Sequence, residues 1–169
     1  ANNMGVMQAL ERDDPVLLST PEGQRLHKIM KDIAAQTDPG KTKQLANTLY
    51  SEAFKSRVGD DSFRRSIWED ITKKADSYND PGKFTALIGY EWTPATEIVA
   101  YSPHRVVIFK DNAEKVNQIA PFSHYESDDP EDLWASLSDY EKKTGGGVLA
   151  IPHNGNLTRG VMFALKDFR

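Results

Sequence analysis

The sequence predicts an α/β fold in which a helical segment over residues 1–80 precedes a strand-and-helix segment over residues 81–169 whose strands run parallel. Three observations carry that expectation. Helically spaced apolar residues dominate the first half, short apolar runs bounded by turns dominate the second, and the turn formers Asn79-Asp80-Pro81-Gly82 separate them.

In the first half, Thr20-Pro21-Glu22 supplies an N-cap, a proline at the first helical position and an early acid. Leu26, Ile29, Met30 and Ile33 then recur at helical spacing, which predicts a helix to about Gln36. After the break at Asp38-Pro39-Gly40, a second helix carries Leu45, Leu49, Ala53 and Phe54 and ends near Arg57. Asp61 caps a third, with Phe63, Ile67, Trp68 and Ile71 as its buried stripe.

In the second half, Phe84 to Tyr90 reads as a buried strand with Glu91 at its C-terminal end. Residues Arg105 to Phe109 have the β-branched enrichment of a second strand, and His104 stands at its start. Asp129-Pro130-Glu131 caps a helix carrying Leu133, Trp134, Leu137 and Tyr140, and Gly145-Gly146-Gly147 ends it. Val148 to Ile151 follows as a buried strand that Pro152 stops, leaving His153-Asn154-Gly155-Asn156 as a turn. Strand, helix and strand in that order favour parallel pairing, and ligands of such sheets gather at the strands' C-terminal ends.

Composition narrows the function. A chain of 169 residues with 38% hydrophobic content is enough for one packed domain. No apolar run approaches the roughly 18 residues of a membrane-spanning helix, and the start lacks the pattern of a signal peptide. A net charge of −4, from 21 basic and 25 acidic residues spread along the chain, offers no electrostatic footprint for nucleic acid. The expected partner is a small molecule. Without cysteine, any metal must be held by imidazole, carboxylate and water. The chain opens on Ala1-Asn2-Asn3-Met4 and closes on Asp167-Phe168-Arg169, which reads as an internal piece of a longer protein.

Glu91, His104 and His153 each sit at the margin of a predicted strand, and imidazole with carboxylate suits zinc, manganese or iron. Each also has a plain structural reading: a strand-end ion pair for Glu91, a loop contact to a carbonyl for His104, a tight-turn residue for His153. Asn154 and Asn156 are placed to orient the His153 imidazole or a substrate oxygen, or to shape the turn. His27 and His124 read as a helix-surface and a loop residue, and the acids from Asp128 to Asp132 as a helix start. The three glycines lack the lysine and hydroxyl residue of a phosphate-binding loop.

Taken together, four blocks in order resemble the domain of unknown function 3604 family, related to the polymerase and histidinol phosphatase (PHP) superfamily of metal-dependent hydrolases. They are Phe84 to Thr93, His104 to Phe109, Asp129 to Trp134 and Val148 to Leu157. The resemblance implies a distorted (β/α) barrel of parallel strands, preceded by a helical insertion, with two or three divalent metal ions at the strands' C-terminal ends. It implies Glu91 as a metal-bridging, catalytic carboxylate, and His104 and His153 as imidazole ligands. The implied activity is hydrolysis of a phosphate or phosphonate ester by a metal-activated water. A non-catalytic binding or scaffolding module is the alternative. The family's early His-x-His block and the Asp-His pair after it do not occur in this sequence, so the metals are expected in the full-length parent and this chain alone is expected to be inactive.

Overall fold

The computed structural model describes residues 2–55, 61–94, 103–158 and 162–163. The chain divides into two compact units, Ala1–Ile67 and Trp68–Arg169.

The first unit is helical: α1 (Asn2–Glu11), α2 (Pro15–Leu18), α3 (Pro21–Ala35), α4 (Pro39–Lys55) and the beginning of α5 (Asp61–Tyr78). Its helix starts follow local chemistry. The Asp14 carboxylate accepts the Val16 and Leu17 N–H groups, Thr20 Oγ1 accepts that of Gly23, and proline stands first in both helices. The Asp38 side chain accepts the Gly40 and Lys41 N–H groups and opens α4 in the same way. Arg57, the expected end of that helix, lies outside the described residues. Leu10, Leu17 and Leu26 are wholly buried with Leu49, Ala53 and Phe63 around them. Burying each of these leucines contributes about 2 kcal/mol. Helices α1 and α2 go beyond the sequence expectation, because α1 offers no capping box and α2 is a single turn. None of the described helices is long and apolar enough to cross a membrane.

The second unit holds the rest of α5, then β1 (Ile88–Trp92), β2 (Arg105–Phe109), α6 (Ala113–Val116), α7 (Pro130–Thr144) and β3 (Val148–Pro152). A 3-10 turn, Gly155–Leu157, follows β3. Its core is aromatic. Trp68 meets Tyr90 and Phe109 edge-on at 5.8 and 6.1 Å, and Phe109 meets Tyr140 at 5.0 Å, geometries that add to the gain from burial. Val107, Val116 and Leu133 complete it with no exposed surface.

The strands correct the sequence expectation. They form a three-stranded sheet in the order β1-β2-β3 with both pairings antiparallel, so the parallel (β/α) barrel is not the fold observed. A parallel crossover must carry the chain back to the opposite end of the sheet. Here the chain leaves β2 and re-enters β3 at the same end, with Phe109 opposite Val148. Lys110 N–H donates to the Gly147 carbonyl at 2.9 Å, and the Asp111 carboxylate accepts the Gly147 N–H at 2.7 Å. Those two bonds clasp exit to entry, and α7 fills the excursion between them.

β1 starts four residues later than expected, because Phe84 pairs with Asp80 across the Pro81-Gly82 turn and Asn79 Oδ1 accepts the Ala86 N–H. Phe84 and Leu87 are exposed as a result. Nor is β3 buried on both faces. Val148, Ala150 and Pro152 share the core face with Tyr90, Trp92, Val107 and Phe109, whereas Leu149 and Ile151 lie on the other face and are 60% and 41% exposed.

Candidate metal centre

Antiparallel pairing places the end of β1, the start of β2 and the end of β3 at one edge of the sheet. Trp92 pairs with Arg105 and Arg105 with Pro152, so the next row along holds Thr93, His104 and His153. The His153 N–H donates to the His104 carbonyl at 3.4 Å and continues the ladder into that row. Strand alternation puts Glu91 on the same face as the two histidines, opposite the aromatic core. Thus the three predicted residues converge although the predicted topology does not hold, and His104 joins the cluster from the N-terminal end of its strand.

The Nδ1 of His104 and the Nε2 of His153 both donate to Glu91 Oε1, at 2.9 and 2.8 Å. Thr93 Oγ1 lies 3.4 Å from the same His104 nitrogen. The two rings stand edge to face, 5.5 Å apart. One ligand atom from each residue lies within 4.8 Å of the others, about the spread of donors around one ion held at 2.0–2.2 Å. Among the described residues this is the one such group of three or more histidine and acidic side chains. Two imidazoles and a carboxylate form the donor set of a catalytic zinc ion, and they suit iron or manganese as well.

Burial alone would raise the Glu91 pKa. The hydrogen bonds and charges of His104 and His153 outweigh it and hold the carboxyl below its ordinary 4.5, so Glu91 is ionised at neutral pH. Its second oxygen, Oε2, has no protein partner among the described residues, and the side chain is 46% exposed. The ligand end of the cluster therefore faces water. By contrast His153 Nδ1 is buried without a hydrogen-bond partner among the described residues, so neither Asn154 nor Asn156 orients that ring.

The profile of the family described as Protein of unknown function (DUF3604) matches residues 1–169. The chain belongs to that family. No curated protein and no solved structure matches it.

In this DUF3604 chain the other histidines stand outside the cluster, and Asn154 and Asn156 make no hydrogen bond to it among the described residues. Asn154, at φ 61°, makes the turn out of β3, and it and Asn156 are exposed next to the cluster in sequence. His27 bonds the Asp13 carboxylate within the first unit, and His124 packs on the Tyr125 ring at 4.1 Å. Two contributors were not singled out from sequence. Thr93 follows Glu91 by two residues, so strand alternation could have placed it on the same face. Arg105, a lone charge leading an apolar run, is 6% exposed on the core face. Burial lowers the pKa of its guanidinium.

Proposed function

We propose that this chain carries the cation site of a divalent-metal-dependent hydrolase, with a phosphate or phosphonate ester as its substrate class. The observation that supports this reading is the convergence of Glu91 Oε1, His104 Nδ1 and His153 Nε2 at a solvent-facing edge of the sheet. Kinship with the PHP superfamily is part of the same proposal and rests on this donor chemistry.

When bound, a divalent cation supplies positive charge beside the leaving oxygen and lowers the pKa of a water from 15.7 to about 7. The chain's own residues do the rest. His104 and His153 would hold the ion through their ring nitrogens, and Glu91 through one carboxylate oxygen. The ionised Glu91 side chain, 46% exposed, has a second oxygen, Oε2, that could accept the proton of an attacking water. Asn154 and Asn156 present amide donors to the non-reacting oxygens of the ester. A second cation needs further carboxylate or imidazole donors, and the described residues hold no other group of three such side chains. The chain by itself is therefore expected to hold one cation and to hydrolyse nothing.

A binding or scaffolding module is the second reading. It is favoured by the way the triad closes on itself, with Glu91 Oε1 satisfied by both imidazoles and no ion required. Titration of the full chain with Co²⁺ and Zn²⁺ at neutral pH separates the two. The hydrolase reading expects one equivalent to bind and the binding to disappear in Glu91→Gln and His153→Ala. Absence of binding, or binding indifferent to both substitutions, sinks it.

A further inference from the structure

Arg105 is a buried charge, 6% exposed on the core face of β2. Taking a guanidinium out of water is costly unless its hydrogen bonds are replaced. Among the described residues three groups answer it. Nη1 donates to the carbonyl of Pro103 at 2.9 Å and to that of His104 at 3.1 Å, and the guanidinium lies over the Trp134 ring, 5.6 Å from its centroid. No carboxylate within ion-pair distance is found for it among the described residues. Among the described residues its polar bonds thus go to the backbone of the segment that delivers His104.

The His104 carbonyl has a second donor, the N–H of His153. One oxygen therefore receives both the Arg105 guanidinium and the backbone of the neighbouring strand at the residue that carries the other imidazole. Arg105 reaches it from the core face, whereas the imidazoles stand on the opposite face. It touches neither ring, and it acts on both through the backbone.

We propose that Arg105 is the positioning residue of the Glu91, His104 and His153 donor set. By holding the Pro103 and His104 carbonyls it fixes the backbone of that row, so that His104 Nδ1 and His153 Nε2 both point at Glu91 Oε1. Trp134 backs the planar guanidinium and limits where it can sit. The metal-affinity consequence rests on the functional reading above, and the ring geometry does not.

The test uses the full chain with Arg105→Met and Arg105→Lys, read in two ways: imidazole ¹⁵N resonances of the metal-free protein, and Co²⁺ affinity. In a folded Arg105→Met, judged by its far-ultraviolet circular dichroism, the His104 and His153 ring resonances are expected to move toward those of free imidazole. Co²⁺ affinity should fall roughly 10- to 100-fold, the usual effect of losing an outer support of a metal site. Arg105→Lys keeps the charge and can still donate to a carbonyl, so it should fall between wild type and Arg105→Met in both readouts. Unchanged ring resonances and affinity in Arg105→Met overturn the proposal. If Arg105→Met does not fold, Arg105→Lys decides by its ring resonances: displacement supports the positioning role and identity with wild type removes it. A wild-type chain that binds no Co²⁺ refutes the metal reading, and the ring resonances of Arg105→Met still decide the role of Arg105.

Discussion

Two carboxylates stand at opposite ends of β2, and the difference between them shows how one small sheet separates stability from chemistry. Asp111, just past the C-terminal end, has 8% of its side chain exposed and accepts the Gly147 N–H at 2.7 Å and the Tyr140 hydroxyl at 2.9 Å, with Lys115 at 3.1 Å. Glu91, beside the N-terminal end, is 46% exposed and accepts from two imidazoles. Both carboxyls titrate below their ordinary values although burial pushes each upward, because donors overcome the burial. The partners of Asp111 are an amide, a phenol and an ammonium, which serve it as hydrogen-bond donors. An imidazole can also offer a ring-nitrogen lone pair to a metal. One end of the strand is a knot, and the other is suited to a ligand.

The comparison breaks first if the knot proves dispensable. Asp111→Ala strands the Gly147 N–H and the Tyr140 hydroxyl and removes the clasp between the exit of β2 and the entry to β3. We expect it to cost about 3 kcal/mol of unfolding free energy, measured by urea denaturation, while Co²⁺ binding by the folded fraction survives. Gly146→Ala tests the same knot from the backbone side, because an added Cβ would press on Asp111 Oδ2 and on the Tyr140 hydroxyl oxygen. About 2 kcal/mol is expected, again with the donor set unaffected. Equal losses of metal affinity in these variants would show that the two ends of the sheet are not independent.

Glu91→Gln is the mirror experiment. Its hydrogen bonds are exposed, so the loss of stability should stay under about 1 kcal/mol, whereas Co²⁺ binding disappears. Acid titration sharpens the contrast. A carboxyl with a lowered folded pKa binds its proton first in the unfolded chain, so its contribution is complete above about pH 5 and fades as pH falls through the folded value. Both residues follow this sign, from ordinary values of 4.5 for Glu91 and 3.8 for Asp111. The better-buried Asp111 should dominate, so Asp111→Asn should flatten the acid limb of the stability curve more than Glu91→Gln does. The opposite ranking would move the stabilising knot to the wrong end of β2.

Much of this arrangement was legible in the sequence, and what was not has a physical cause. The stops and starts of α3, of β2 and of α7 lie within short-range chemistry: Thr20-Pro21, the β-branched run from Val106 to Ile108, and Asp129-Pro130 against Gly145, which adopts φ 63° at the helix end. The three donors were legible as polar residues at strand margins. Strand direction was not, because it depends on Asp111 reaching Gly147 across a long excursion, a contact no local pattern announces. That the donors meet follows from the antiparallel pairing itself, which brings the end of β1, the start of β2 and the end of β3 to one edge, whereas parallel strands would have left His104 at the edge opposite Glu91. The face of β3 was misjudged because an apolar run reads the same whether one side or both are covered. Arg105 escaped notice since its role lies in two backbone carbonyls.

The smallest effect expected concerns the phenol of the knot. Burial, helped by the Asp111 carboxylate, pushes the Tyr140 pKa from 10.0 up to about 12. The unfolded chain therefore loses this proton first as pH rises. Between these two values the unfolded state carries the charge while the native state does not, so the stabilising contribution of Tyr140, complete below pH 10.0, drains away toward pH 12. Tyr140→Phe removes both the bond to Asp111 and this titration. It should cost about 1 kcal/mol at neutral pH, a difference from wild type that narrows in denaturation curves recorded at rising alkaline pH. A difference that stays constant through that range would mean that the hydroxyl ionises alike in both states, and the seal on the Asp111 end of β2 would then rest on the Gly147 amide and Lys115 alone.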